Sequence, residues 1–186
     1  MALFLLGLII FFGAHLFSGL MRGPRAAVID KTGEMPYKGL YSLISIAGFV
    51  LIVMGWKAAD ASVIYATPYW LRHVTHLLML IAFILLVAAY LPAGKIAAAA
   101  KHPMLAGVKI WAFAHLLVNG EVRSIILFGS FLAYAVIDRI AVKKRGETSR
   151  AAGPVMNDVI AVFVGGTVFA AIAFYGHQYI AGVALF

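Results

Sequence analysis

The residues with the greatest scope for chemistry in this sequence are its histidines, at positions 15, 73, 76, 102, 115 and 177. The chain contains no cysteine, which excludes disulfides, iron–sulfur clusters and thiolate ligation of haem. Histidine, methionine and carboxylate side chains remain possible as metal ligands. Two of the histidines, His15 and His115, fall inside long apolar segments. An ionisable side chain in such a segment is a candidate functional residue, because apolar surroundings make it costly.

His15 has aromatic and small neighbours at helical spacing. Phe11 and Phe12 lie one turn before it, and Ser18 and Gly19 lie one turn after it. Residues spaced in this way share one face of a helix. That face combines aromatic walls, an imidazole and small side chains, so it could admit a flat ligand.

His115 has a matching context, with Trp111 and Ala112 one turn before it and Asn119 one turn after it. Both histidines stand in an Ala-His-Leu triplet, and counting from opposite ends of their segments places them at similar depths. Two neutral imidazoles on two helices can hold a six-coordinate haem b in a membrane. Haem ligation by this pair is one interpretation. Another metal, a proton relay and hydrogen bonding between helices stay open as alternatives.

The segment that contains His115 also contains Lys109. A lysine inside a membrane span costs about 2.5–3.5 kcal/mol on the insertion scale, so a haem propionate, a lipid phosphate or Asp138 is expected to offset its charge. Lys109, Trp111 and Asn119 therefore join the two histidines as candidate cofactor-binding residues.

The other four histidines have simpler interpretations. His73 and His76 share one helix face and could bind a metal or line an entrance, although hydration at the membrane boundary explains His76 more simply. His102 is interpreted as a helix-start or surface residue, and His177 as an interfacial one.

The elements that carry these residues are predicted to be membrane helices. Hydrophobic residues make up 64% of the 186 positions and charged residues 12%, and the mean hydropathy is +1.00. Six apolar segments remain after cutting at charged and Pro/Gly-rich stretches, at roughly 2–20, 38–56, 70–91, 103–118, 122–141 and 158–183. The fourth is short, because about 16 residues span roughly 24 Å as a helix. The prediction is one all-α domain of residues 1–186, a polytopic membrane bundle of six transmembrane helices.

The basic residues predict how this bundle is oriented. Eleven Lys and Arg residues fall in the first, third and fifth connections and three in the second and fourth. By the positive-inside rule the odd connections are cytoplasmic and both termini are external. The net charge of +8 is therefore interpreted as topology, with membrane lipids and not nucleic acid as the surroundings.

A family resemblance rests on the segment from His102 to Gly120, which reads HPMLAGVKIWAFAHLLVNG. Its pattern H-P-M-L-x-G-x-K-x-W-A-x-A-H-L-L-x-N-G resembles the signature of the NnrU family of membrane proteins. The resemblance covers most of residues 10–145. It also includes His15 with Arg22, the stretch 39–45, Arg72-His73 and Phe128-Gly129-Ser130.

This resemblance implies a location and a chemistry. The family takes its name from bacterial loci for nitrite and nitric oxide reduction, which implies the bacterial inner membrane and denitrification-linked metabolism. Its relatives include the 15-cis-ζ-carotene isomerases, which are haem b proteins. By similarity with them, His15 and His115 match the two haem ligands. His73 is the reserve ligand, because its Arg72-His73 context also belongs to the family pattern. The isomerases have a cysteine where this chain has Ala112, so an exchange of histidine for cysteine ligation is excluded here.

Three functions follow as hypotheses, and the sequence leaves open whether the protein is an enzyme. The first is a haem b protein in nitrite and nitric oxide metabolism, or in redox or isomerase chemistry on a lipophilic or small-molecule substrate, with a redox partner. The second is a non-enzymatic accessory or assembly factor for a respiratory nitric oxide reductase. The third is a small transporter, which the repeated Ala-His-Leu triplet on opposed spans would suit.

Overall fold

The computed structural model describes residues 1–148 and 150–185, and helices follow the six predicted apolar segments. Those helices are α1 (Ala2–Leu20), α3 (Glu34–Trp56), α4 (Leu71–Tyr90), α6 (Pro103–Val118), α7 (Val122–Lys144) and α8 (Val155–Ala171), which continues through a π-helical turn (Ile172–Gly176) into α9 (His177–Ala181). Within the described ranges, five helices are long and apolar enough to cross a membrane, and α6 is a shorter apolar helix. The prediction of an all-α polytopic bundle is confirmed, and the crossing of the membrane by α6 stays a prediction.

Two further helices lie in connections for which the sequence predicted no element. The helix α2 (Arg22–Thr32) joins α1 to α3, and α5 (Lys95–Ala100) precedes α6. Neither has the apolar length of a span. The predicted end of the fourth segment is confirmed, because α6 stops at Val118, immediately before the Asn119-Gly120 pair.

The chain divides into two compact units. The first unit comprises Met1–Ala66 and Asn119–Arg145, and the second comprises Thr67–Val118 and Gly146–Phe186. Spans one, two and five therefore belong to the first unit, and spans three, four and six to the second. The two Ala-His-Leu triplets lie in different units. Each unit combines two separate stretches of the chain, so the units are not its two halves.

In the first unit, α1 and α3 approach each other closely because glycines line their contact. A Cβ atom added at Gly7 would lie 2.5 Å from the backbone nitrogen of Ile52, and one added at Gly48 would lie 2.7 Å from that of Phe11. Residues without bulky side chains permit such backbone contact between membrane helices. The buried residues of this unit's core are Phe4, Leu8, Phe12, Ile52 and Ala59.

The second and fourth connections are hydrogen-bonded to each other within the first unit. The backbone N–H of Ile64 donates to the carbonyl of Gly120 at 2.8 Å, and that of Val122 donates to the carbonyl of Ser62 at 2.9 Å. A Cβ atom at Gly120 would collide with the carbonyl oxygen of Tyr65. These bonds hold the segment after α3 against the segment at the start of α7. The connection between α6 and α7 is therefore ordered by the backbone of the second connection.

In the second unit, α4 packs against both α6 and α8. A Cβ atom at Gly165 of α8 would lie 2.7 Å from the Cα of Ile84, whereas one at Gly107 of α6 would lie 3.0 Å from the side chain of Leu86. Alanines form a small core where α4, α5 and α8 meet: Ala88, Ala97 and Ala161. Of these contacts, the one at Gly107 packs α6, which carries His115, against α4.

Candidate functional site

His15 is fixed on α1 by a bond to its own helix. Its Nδ1 donates to the carbonyl of Phe11 at 2.7 Å, and the imidazole stacks on the Phe11 ring, with centroids 4.2 Å apart and planes at 27°. Rings from two other helices also approach it, Tyr41 of α3 at 5.3 Å and Tyr134 of α7 at 5.7 Å. Three helices of the first unit therefore enclose this half-buried imidazole.

The bond to Phe11 decides which nitrogen of His15 can coordinate a metal. A carbonyl oxygen only accepts hydrogen bonds, so Nδ1 carries the hydrogen and the lone pair of the neutral ring is on Nε2. Histidines that ligate metals characteristically donate their other ring N–H to a carbonyl or a carboxylate, which fixes the ring orientation. His15 has the tautomer and the support of such a ligand.

An aromatic cluster surrounds His15, and the sequence interpretation found only part of it. We define this aromatic cluster as Phe11, Phe12, Tyr41, Phe131 and Tyr134, whose rings are linked by contacts of 4.9–5.6 Å and by those to His15 described above. The sequence placed the first two beside His15 and missed the other three. The sequence did contain a signal for two of them. Phe131 and Tyr134 are three residues apart on α7, a spacing that places both on one face of the helix.

His115 shows the same local arrangement on α6. Its Nδ1 donates to the carbonyl of Trp111 at 2.9 Å, and its ring lies 5.1 Å from the Trp111 ring at an angle of 51°. In both cases an aromatic residue four positions earlier supplies the accepting carbonyl and a neighbouring ring. The preceding residue, Ala114, accepts a hydrogen bond from the buried hydroxyl of Thr75 at 3.2 Å, which ties α6 to α4.

The other candidate cofactor-binding residues have different positions. Trp111 contacts His115 as predicted, and Lys109 is half-buried on the same helix. Asn119 lies beyond the end of α6, in the first unit, where its carbonyl accepts a hydrogen bond from the Tyr65 hydroxyl at 3.2 Å. Ala112 of α6 is fully buried.

The remaining histidines of the second unit differ in exposure and in their hydrogen bonds. His73 is exposed near the start of α4, and His76 is half-buried one turn later. His177 donates through Nδ1 to the carbonyl of Val183 at 2.7 Å and lies within electrostatic range of His76 and His115. Across residues 1–148 and 150–185, no group of three or more His, Asp or Glu side chains is arranged to hold a metal ion.

The fold and these residues define a class of protein, a polytopic helical membrane protein with half-buried histidines on its apolar helices. The sequence also matches the family model described as NnrU protein over residues 3–185, nearly the whole chain. The chain therefore belongs to the NnrU family, as the segment from His102 to Gly120 predicted. No curated protein and no solved structure matches it.

Proposed function

We propose that the protein binds one haem b, which His15 and His115 would hold, and acts in redox chemistry linked to nitrite and nitric oxide metabolism. The observation that carries the proposal is the matched arrangement of the two histidines. Each donates through Nδ1 to the carbonyl four residues earlier, at 2.7 Å and 2.9 Å. In this tautomer the lone pair of each neutral ring is on Nε2, the nitrogen that would coordinate the iron.

These bonds run within single helices. Nδ1 of His15 and Nδ1 of His115 each donate to a carbonyl of their own helix. That bond orients a ring without joining two helices, which is the support expected of a metal ligand.

The surroundings of His15 suit a flat, largely apolar cofactor. The aromatic cluster supplies ring faces, and Tyr41 and Tyr134 each carry a hydroxyl. Cofactor sites are typically lined by apolar and aromatic side chains with a few polar groups. Haem supplies one-electron chemistry when it is bound.

Two histidine ligands favour electron transfer or haem delivery over catalysis at the iron. A six-coordinate iron has no open position, so a substrate would require one ligand to leave. The cysteine that could replace a histidine in the isomerases is absent, and Ala112 in its place is fully buried. We therefore rank transfer of electrons to a redox partner above isomerisation of a lipophilic substrate.

A transporter function receives less support from the helices that carry the two histidines. Transport sites near the middle of the membrane are typically formed by interrupted helices. Both α1 and α6 are continuous α-helices through their histidines. The π-helical turn Ile172–Gly176 lies in a different helix, after α8.

The test is the absorption spectrum of detergent-purified protein made with adequate haem supply. We expect a Soret band and, on reduction, the split α and β bands of low-spin haem. His15→Ala and His115→Ala should each abolish this spectrum or convert it to a five-coordinate one. If all these proteins are colourless despite the haem supply, the haem proposal is wrong and the accessory role for a nitric oxide reductase replaces it.

His177→Ala is the matched control, and His73→Ala tests the reserve ligand. His177 has the same type of bond from Nδ1 to a carbonyl and lies in electrostatic range of His115, yet it should leave the spectrum unchanged. A wild-type spectrum in either His15→Ala or His115→Ala, together with loss of haem in His73→Ala, would show that the pair is wrongly assigned.

A further inference from the structure

A small basic pocket lies at one end of the second unit, where α4 ends and α6 begins. Its volume is about 240 Å³, and its polar lining residues are Lys101, His102, Thr148 and Arg150. The first turn of α6 and Ala89 complete the wall. No carboxylate is among the described residues that line it. The pocket therefore presents the positive charges of Lys101 and Arg150, the imidazole of His102 and the hydroxyl of Thr148.

Arg150 is held in place by the end of α4. Its Nη1 donates to the carbonyl of Leu91 at 3.0 Å, and its Nη2 donates to the carbonyls of Ala89 and Ala88 at 3.1 Å and 3.4 Å. The last carbonyls of a helix have no partner within it, so a guanidinium satisfies them well. Three of its five N–H donors are thus engaged, and the rest remain for a group in the pocket.

Lys101 is held by an unusual turn. Its φ angle is +62°, and the N–H of His102 donates to the carbonyl of Ala100 at 2.7 Å. This is a classic γ-turn, a rare and strained conformation that orders the short connection between α5 and α6. The nearby carboxylate of Asp158 accepts hydrogen bonds from the N–H groups of Lys95 and Ile96, both at 2.9 Å. That acid therefore caps α5 and does not line the basic pocket.

We infer that the basic pocket is a binding site for a phosphate group, and that an anionic phospholipid headgroup is its natural source. Lys101 and Arg150 would neutralise the phosphate, and Thr148 and His102 would donate to its oxygens. The positive end of the 16-residue helix α6 adds to the attraction.

The position and size of the pocket favour a headgroup. The ends of apolar helices lie at headgroup depth, and basic pockets between membrane helices bind acidic lipid headgroups. The volume is below the roughly 300–1,000 Å³ of sites for drug-sized ligands, so a phosphate with part of its headgroup fits and a large soluble molecule does not. This inference is independent of haem binding.

The experiment follows the thermal unfolding midpoint of the full-length protein in detergent. Phosphatidylglycerol, phosphatidylcholine and inorganic phosphate are each titrated. We expect phosphatidylglycerol to raise the midpoint at lower concentration than phosphatidylcholine does. If inorganic phosphate raised the midpoint as strongly as phosphatidylglycerol, the pocket would still be a phosphate site, but its ligand would be free phosphate. Equal effects of the two lipids, or no effect of any probe, would overturn the inference.

Lys101→Gly is the decisive variant, because glycine accepts a positive φ while the charge is removed. We expect the apparent affinity for phosphatidylglycerol to fall about tenfold, the effect of losing one charge-assisted hydrogen bond. Lys95→Gln is the matched control, since it removes a charge from the same connection outside the pocket, and should bind like the wild type. Equal affinities of Lys101→Gly and the wild type would overturn the site assignment even if Arg150→Gln proved unstable.

Discussion

The two histidine-bearing helices share a local structure and differ in what surrounds it. In the first unit, His15 is approached by rings from α1, α3 and α7. In the second, His115 contacts the ring of Trp111 on its own helix, and a hydroxyl bond from Thr75 anchors the adjacent residue. The orientation of each imidazole is thus a local property of the helix. The environment of each imidazole depends on the helices that pack against it.

A second contrast concerns how closely two pairs of helices pack, α1 with α3 and α4 with α6. In the first unit, Cβ atoms added at Gly7 and Gly48 would meet the backbone of the neighbouring helix at 2.5–2.7 Å. At Gly107 in the second unit, the nearest atoms are a leucine side chain at 3.0 Å and a carbonyl oxygen at 3.1 Å. Side chains can move aside and backbones cannot, so the contact between α1 and α3 should tolerate less added volume than the contact between α4 and α6.

The prediction with the largest expected effect concerns membrane topology, because a reporter fusion lies on one side of the membrane or on the other. Reporter fusions after Phe186 and within Lys143–Arg150 should give opposite readouts, since the charge distribution places the terminus outside and the fifth connection in the cytoplasm. Matching readouts would contradict the six-span topology and, with it, the crossing of the membrane by α6.

Gly48→Ala should cause the largest loss of stability among these glycine variants. The new methyl would lie 2.7 Å from the Phe11 backbone nitrogen, and overpacking of this kind costs roughly 1–3 kcal/mol. The free energy of unfolding in mixed detergent micelles is the measurement. Gly39→Ala is the control on the same helix, because nothing lies within 4 Å of its added Cβ. Equal stability of the two variants would contradict the close packing of α1 on α3.

Gly107→Ala tests the contact between α6 and α4 and should lower the free energy of unfolding less than Gly48→Ala does. The added Cβ meets Leu86 at 3.0 Å, and alanine gains about 1 kcal/mol of helix propensity over glycine. We expect a net change within about 1 kcal/mol, measured in the same micelles. Gly166→Ala is the control, since its nearest neighbour is 3.9 Å away. A loss at Gly107 as large as that at Gly48 would remove the distinction between these two helix contacts.

Thr75→Val should have the smallest effect. It removes the bond to the Ala114 carbonyl that ties α6 to α4, and such bonds average about 0.6 kcal/mol in a membrane protein. Thr167→Val is a matched control, because the Thr167 hydroxyl donates within its own helix, to the carbonyl of Phe163 at 2.8 Å. Faster hydrogen exchange of the α6 amides in Thr75→Val alone is the expected readout. The same exchange rate in both variants would contradict the anchoring role of Thr75.

Much of the fold could be predicted because its signals are local. A run of about 20 apolar residues specifies a membrane helix by itself, since its backbone groups must be satisfied within the segment. The end of α6 before Asn119-Gly120 is equally local. The pattern around His102–Gly120 indicated the family, which the match over residues 3–185 confirms. The bonds from His15 to the Phe11 carbonyl and from His115 to the Trp111 carbonyl are also local, because each joins residues four positions apart on one helix, but the sequence analysis did not predict them.

The tertiary structure decided which helices pack together and therefore what surrounds each histidine. Apolar spans attract one another with little specificity in lipid, so the choice of neighbour depends on the shapes of their faces. Glycines far apart in the sequence, such as Gly7 and Gly48, must meet before the contact between α1 and α3 exists. Tyr41 and Tyr134 approach His15 only after that packing. The sequence alone determined the helices and the orientation of their histidines, whereas non-local packing determined the two units and the aromatic cluster.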